Sequence, residues 1–403
     1  MPEYILAPGG VVAQKKKKLK YIIVFLVFVI YFFIAARPLP RETVLAPQWI
    51  SSMPGGITER AIIDDGGSGD FMFHAFSDKP LPFSLGNYFG YIDSSGQFIL
   101  NQIRTDDIYI SHNLWSEYEA QPGNIIVNNI EANAQITVEN ARGYPVLLDS
   151  RIFILGSEQN SLSEIGNDGN VLWTYDFGAP ITCIDVAAGF VVTGSLDGAI
   201  EVFDSTGDRI FFFEPGGSRY SVILGCAISR DGSKIAVVSG IDQQRFLLLE
   251  RFGTTVGDYR IIHHEFLGAG FRRPVRVLFV DEDQHVVFER AGGIGCYNIR
   301  SRRGILIPLY GDIAAIDDSG DQGFFFVITY APNRMLAEKR LIGIRLLPDR
   351  LFGLSVTSAQ NAVFLDAPFK SEDVFLGRMN GSMGPMLVTG GGSTLISFKL
   401  EER

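Results

Sequence analysis

From about residue 70 to its carboxyl end the chain is a succession of short runs rich in β-branched and aromatic residues, divided by tight polar turns. The order is constant: a run, a short turn, a second run, a Gly-Ser or Asp-Gly turn, a third run, a Gly turn and a fourth run. Such punctuation predicts antiparallel strands joined by hairpins. The clearest set is Ile181–Asp185, Phe190–Gly194, Ala199–Phe203 and Arg209–Phe213. The next is Ile223–Ile228, Lys234–Val238, Phe246–Glu250 and Tyr259–His264, at an offset of about forty residues. Further copies are expected to begin near Val275, Ile313 and Val363, and earlier ones near Val146 and Ile108. Four-stranded units repeating at that period predict an all-β, seven- or eight-bladed β-propeller over residues 70–403.

The turns repeat as faithfully as the strands: Asp93-Ser-Ser-Gly96, Asn167-Asp-Gly169, Asp204-Ser-Thr-Gly207, Arg251-Phe-Gly253 and Arg302-Arg-Gly304. An Asp or Asn that bonds its own backbone, followed by Gly at positive φ, is what a tight turn needs. Asp93, Gly96, Asp168, Gly169, Asp204, Gly207, Asp231 and Gly232 are therefore read as structural. Closure of the ring is expected to pair Thr394–Leu400 with a strand from within residues 70–104, which would remove most exposed sheet edges.

The amino-terminal pattern is of another kind. Lys15, Lys16, Lys17, Lys18 and Lys20 precede Tyr21–Ala36, sixteen residues without a charge or a helix breaker. A helix of that length reaches roughly 24 Å, slightly short of a hydrocarbon core of about 30 Å unless flanking lysines snorkel. The five lysines are expected to determine topology, orienting such a helix with its amino terminus in the cytoplasm. A cleaved signal peptide would need small residues at two positions spaced by one, yet Phe33 and Ile34 stand two before Ala35 and Ala36. The expected organisation is a basic cytoplasmic tail (1–20), a transmembrane signal-anchor helix (21–36), an extended linker (37–69) and the propeller (70–403). The chain would then be a single-pass protein of the cytoplasmic (inner) membrane with a periplasmic body. Asp64-Asp-Gly-Gly-Ser-Gly-Asp70 lacks the alternating ligands and terminal Glu of a calcium loop and reads as a turn.

Composition narrows the class. The 403 residues include 31 Phe, 14 Tyr and 44 Gly, the profile of many aromatic strands joined by tight turns. The net charge is −10; the first twenty residues hold five lysines against Glu3, which leaves −14 on the body and argues against nucleic-acid binding. Cys183, Cys226 and Cys296 are far apart in sequence and lie in apolar runs, so they read as buried thiols, with one disulfide between neighbouring blades left open.

Gly169-Asn-Val-Leu-Trp173, Gly194-Ser-Leu-Asp-Gly198 and Asp204-Ser-Thr-Gly207 resemble the repeat of the PQQ-like superfamily, and Ala227-Ile-Ser-Arg-Asp-Gly-Ser-Lys-Ile-Ala236 resembles the corresponding turn of WD40-like and TolB-type propellers. The resemblance is concentrated in residues 145–215. Its nearest branch in pattern is the non-enzymatic propeller scaffold of bacterial outer-membrane barrel assembly, although an apolar anchor stands here in place of that branch's lipid-bearing cysteine. The quinoprotein dehydrogenase branch implies a quinone and calcium on the ring axis and often a Cys-Cys pair. This chain has no such pair.

No chemical motif competes with the scaffold reading. The sequence shows no Gly-x-Ser-x-Gly elbow, phosphate loop or His-Glu-x-x-His helix. Of His74, His112, His263, His264 and His285, only the adjacent pair is suggestive, and neighbours on a strand point to opposite faces. Asp281-Glu-Asp283 and Asp317-Asp318 read as solvated acidic turns. No catalytic, cofactor or metal residue is assigned. The expected function is a membrane-anchored scaffold for envelope proteins, the alternative being a quinoprotein-like or other enzyme with a central pocket. Trp115, Tyr118, Arg272 and Arg273 are the candidate partner-binding residues, since aromatic and Arg side chains anchor interfaces.

Overall fold

The computed structural model describes residues 20–21, 23–31, 43–53, 79–120, 123–132, 135–253, 257–268, 270–317, 323–331, 338–346, 362–371, 373–381 and 384–402. Of the residues expected to carry topology, turns or chemistry, Lys15, Lys16, Lys17, Lys18, Asp64–Asp70, His74 and Asp318 lie outside the described residues. Contacts divide the chain into two units, residues 45–400 and a smaller one formed by 1–44 with 401–403.

The larger unit is an eight-bladed propeller. Eight sheets follow one another along the chain, each a meander of antiparallel strands. The first blade shows three described strands, Leu81–Leu85, Tyr88–Ile92 and Phe98–Ile103. The second to seventh blades each have four: Asp107–Val138, Gly143–Asp176, Ile181–Phe213, Ile223–Gly268, Val277–Pro308 and Asp312–Lys370. The eighth is built from Val374–Gly381, Gly384–Gly391 and Thr394–Glu402, and its outermost strand is Thr43–Ser52 from the other end of the chain.

That last pairing corrects two expectations. Thr394–Glu402 pairs with Thr43–Ser52 and not with a strand from residues 70–104, and ten residues read as extended spacer are this strand. Pro47 interrupts its apolar pattern, which disguises it in the sequence; an outermost strand tolerates a missing N–H because one of its edges needs no partner. Val363 likewise begins no new blade. It opens the outermost strand of the seventh, where a long segment between the third and fourth strands stretches the unit beyond the forty-residue period.

Both faces of a blade are covered by its neighbours, so the middle strands are buried almost throughout. Val191–Ser195, Ile200–Phe203 and Ile235–Ser239 are buried at every position, whereas outermost Val171–Asp176 is mainly exposed. This is why the inner strands read as continuous apolar runs. Among the described residues eight hydrophobic clusters result, one at each junction between consecutive blades. Phe246 stacks on Phe288 between the fifth and sixth blades, ring centroids 4.3 Å apart. Met53, Phe83, Met379 and Val388 fill the junction where the eighth blade meets the first. Each such side chain contributes about 1.5–3 kcal/mol by leaving water, so burial at each junction ties one blade to the next.

In the smaller unit, residues 20–21 and 23–31 are helical, with exposed Lys20, Tyr21, Phe25, Phe28 and Tyr31. Lys20 is thus the one member of the basic cluster among the described residues, and it stands at the start of the helical stretch. Among the described residues no helix is long and apolar enough to cross a membrane.

Candidate partner-binding face

In a four-stranded meander the turns between first and second and between third and fourth strands share one end of the ring. The turn between second and third strands and the link into the next blade share the other. The first end is a face of short locked turns. Asp204 Oδ1 accepts from Thr206 N at 2.9 Å, Thr206 Oγ1 at 2.6 Å and Asp208 N at 3.1 Å. These bonds, that of the Thr206 hydroxyl foremost, hold its carboxyl below the usual range. Asp93 makes the same set with Ser95 and Gln97, and Asp168 accepts from Asn170. At Asp231, burial is outweighed by hydrogen bonds from Ser229 and Ser233 and by the charge of Lys234, which bring it down to about 2.

Gly96, Gly169, Gly207 and Gly232 have φ of +86°, +81°, +84° and +67°. Gly207 is also a close approach: a Cβ there would stand 2.4 Å from Trp173 Cγ on the preceding blade's outermost strand. Trp49 meets Gly96 in the same way across the junction of the eighth and first blades. Gly207→Ala is therefore expected to destabilise by about 1–3 kcal/mol through strain and overpacking, read as a lower thermal midpoint with partner binding intact in the folded fraction. Gly304 departs from this pattern; the positive φ in its turn belongs to Arg302.

Other polar groups at this end are engaged internally. Asp317, expected in a solvated turn, is instead buried and paired with Arg378 at 2.8 Å. The chain folds its carboxylate between the seventh and eighth blades, where the guanidinium also lies over Phe324 and Phe326. Asp281 pairs with buried His285 at 3.0 Å and accepts from Gly323 N; Asp283 accepts from Arg230 N. His263 stacks on Tyr297 with centroids 4.1 Å apart, and burial lowers its pKa, while His264 packs on Phe266. Among the described residues no cluster of three or more His, Cys, Asp or Glu side chains is placed to hold a metal ion.

One carboxylate stands apart. Asp185, on the inner strand of the fourth blade, accepts from Val186 N at 2.9 Å and from Ile228 N on the fifth at 2.8 Å. Burial raises its pKa to about 6; the two N–H groups oppose the rise, and Asp149 adds to it. A carboxyl pKa above the unfolded value means that the folded state binds the proton more tightly. Its stabilising contribution is present below the unfolded pKa and fades as pH rises through about 6. The Asp185→Asn variant is expected to lose this dependence between about pH 4 and 6.5, seen by comparing unfolding midpoints at a series of pH values; an unchanged slope contradicts the assignment.

The opposite end carries longer links with projecting side chains. Between the fourth and fifth blades, Gly216 and Gly217 take φ of +59° and +79°. Ser218 Oγ bonds Asp242 Oδ1, Arg219 N donates to Asp242 Oδ2 at 3.3 Å, and Arg245 Nη2 donates to the Pro215 carbonyl at 2.7 Å. The backbone is thus fastened while Arg219 and Tyr220 remain exposed, Tyr220 at 61 %. Arg272 is exposed on the next link. Its neighbour Arg273 reaches back to buried Glu289 at 2.7 Å and covers Phe271 at 4.5 Å, which braces the loop. Tyr310, 71 % exposed on the following link, borders a shallow recess of about 110 Å³ that Thr329, Ala331, Glu338 and Arg340 complete.

Three successive links thus present Arg219, Tyr220, Arg272 and Tyr310 as an arc, with exposed Leu196 beside it on a turn at the same end. Of the residues singled out in the sequence, Arg272 belongs to the arc and Arg273 supports it. Tyr118 is half-buried in the second blade, its ring 6.0 Å from Tyr144. Trp115 is no surface anchor. It is 7 % exposed, packs on Phe89 and donates its indole N–H to the Asn129 carbonyl at 2.9 Å. Arg219, Tyr220 and Tyr310 sit in no motif that marks them in the sequence. Their signal was position in the segments between strand groups, as in Gly216-Gly-Ser-Arg-Tyr-Ser221.

Comparison with known proteins agrees with this architecture. A family described as beta-propeller protein matches residues 12–380. An uncharacterized protein of Treponema pallidum (strain Nichols) is 29 % identical over 308 residues, 75 % of this chain and 78 % of that protein. Among solved structures, BamB from Moraxella catarrhalis superposes with a TM-score of 0.52 at 10 % identity, covering 88 % of this chain and all of that one. The computationally designed Ika8 protein has a TM-score of 0.52 at 13 % identity over 80 % of this chain and 97 % of its own. At these identities the solved structures speak for the fold alone.

Proposed function

The chain belongs to a family of β-propeller proteins, and from that premise we propose that it is a membrane-tethered scaffold binding other envelope proteins through its link face. The observation that carries the reading is the arc of exposed Arg219, Tyr220, Arg272 and Tyr310 on links whose backbones are fastened to the ring. Loops held on a rigid scaffold are where proteins place recognition; Tyr offers rigid contact area at low entropic cost, and Arg is enriched among the residues that anchor interfaces. The turn face, by contrast, spends its polar groups on its own turns. The tether supplies the second half of the proposal. Lys15, Lys16, Lys17, Lys18 and Lys20, followed by apolar residues 21–36, would insert with the tail in the cytoplasm, so the propeller would work outside. Confinement to the membrane surface would raise its effective concentration toward other membrane proteins. In its finer form the scaffold is of the PQQ-like repeat class and serves outer-membrane protein assembly.

The test is crosslinking in cells of the tagged full-length protein, followed by identification of co-purified proteins. The double variant Arg219→Glu, Arg272→Glu is expected to reduce capture at least about tenfold with an unchanged melting midpoint. Equal capture by both forms, or none by the unsubstituted protein, would overturn the reading.

A further inference from the structure

The inner strands of the fourth and fifth blades bring two thiols together. Cys183 lies on Ile181–Ala187 and Cys226 on Ile223–Ile228. These strands are tied at two points: Thr182 Oγ1 donates to the Ile223 carbonyl at 2.5 Å, and Ile228 N donates to Asp185 Oδ2 at 2.8 Å. The second tie joins residues 43 apart, and Cys183 and Cys226 share that spacing between the two ties. Their side chains converge beside one glycine. Gly194 pairs with Cys183 across the fourth blade, and a Cβ on it would stand 2.7 Å from Cys183 Sγ. Cys226 Sγ lies 4.0 Å from the carbonyl of Val192, two residues before Gly194. A Cβ at 194 would also stand 2.4 Å from Ile223 Cγ2, so the bare glycine leaves room for the Cys183 sulfur and for the fifth blade's inner strand, which carries Cys226 three residues on, to pack against it.

We propose that Cys183 and Cys226 form a disulfide across the junction of the fourth and fifth blades when the chain meets a disulfide oxidant. Cys183, the half-buried member, loses its proton to solvent and attacks one sulfur of the oxidant, whose other sulfur leaves as a thiolate. Cys226 then loses its proton and attacks Cys183 Sγ, expelling the second oxidant thiolate. One S–S bond forms in the protein, one breaks in the oxidant, and two electrons pass to the oxidant, which takes up two protons. Contact with the Cys183 thiol, and then burial, push the Cys226 thiol well above its ordinary range, which makes the second step slow and fits a lasting structural bond better than a redox catalyst. Cys296 is buried in the cluster between the sixth and seventh blades, and burial raises its thiol to about 12. An oxidising compartment outside the cytoplasm is where such a bond persists, yet the thiol chemistry is independent of what the link face binds.

The test uses the full-length protein in detergent, equilibrated with oxidised glutathione at about pH 8, then denatured, alkylated and digested. The expected result is one alkylated cysteine, Cys296, and a linked peptide pair carrying Cys183 and Cys226, formed faster as pH rises. Cys296→Ser should leave the bridge intact, and Cys183→Ser should abolish it. Should Cys183→Ser fail to fold, peptide mapping of the unsubstituted chain decides alone. Three alkylated cysteines at equilibrium, a bridge that includes Cys296, or a glutathione adduct on Cys183 that never resolves would each overturn the proposal.

Discussion

Replacing Arg378 with leucine is expected to destabilise the propeller by about 3–5 kcal/mol, the usual loss when one partner of a buried ion pair is removed. Arg378 and Asp317 have side chains 4 % and 0 % exposed, and their contact at 2.8 Å joins the inner strand of the eighth blade to the turn that follows the inner strand of the seventh. Leucine would leave the Asp317 carboxylate buried without its counter-charge and would also remove the cation from the rings of Phe324 and Phe326. The double variant Arg378→Leu, Asp317→Leu removes both charges and should recover much of the loss, because the single substitution leaves a stranded charge that the double one does not. Denaturant midpoints of the single and double variants provide the check. A single variant as stable as the parent would mean that the pair is open to water.

The second large effect concerns closure. A chain lacking residues 1–42 keeps the strand Thr43–Ser52 and should melt within about 2 °C of the full-length protein. A chain lacking residues 1–52 loses the outermost strand of the eighth blade and exposes the edge of Thr394–Glu402. It also loses the Trp49 ring against Gly96, the Trp49 Nε1 bond to the Ser94 carbonyl at 3.1 Å and that from Ser51 Oγ to the Gly96 carbonyl at 2.5 Å. Trp49 alone is worth about 3 kcal/mol as a large half-buried aromatic, so the midpoint should fall by roughly 5–10 °C, with aggregation from the open edge. Equal melting of the two truncations would show that the ring closes without this strand.

The two regions illustrate what a sequence of this kind discloses. The fourth and fifth blades were legible nearly strand for strand: Arg209–Phe213 and Ile223–Ile228 stand as their apolar runs predict. Their turns carry Asp and Gly at the positions where φ and side-chain acceptors demand them. Thr43–Ser52 was not legible, because a proline and a mixed pattern suit an edge strand as well as a spacer. A count of seven or eight includes the eight blades found, but the start expected near Val363 is displaced to Val374 because the insertion in the seventh blade breaks the period that signals a blade. Burial was the hardest property to read. Trp115 and Asp317 look alike exposed or enclosed in one dimension, and only the contact with Phe89 or with Arg378 places them. Of the four exposed residues of the arc on the links, Arg272 alone announces itself in the sequence, beside a proline-bounded link, while Arg219, Tyr220 and Tyr310 gain meaning only when the ring sets three links side by side.

Photo-crosslinking from single positions in the living cell asks which face of the ring meets a partner. A photoreactive residue would be placed in turn at Tyr220 and Tyr310 on the link face, at Ser205 on the turn face and at Leu172 on the rim, all exposed. Adducts with envelope proteins are expected from Tyr220 and Tyr310, and none from Ser205 or Leu172. Adducts confined to Ser205 or Leu172, or none from any position in a folded, membrane-associated protein, would contradict it.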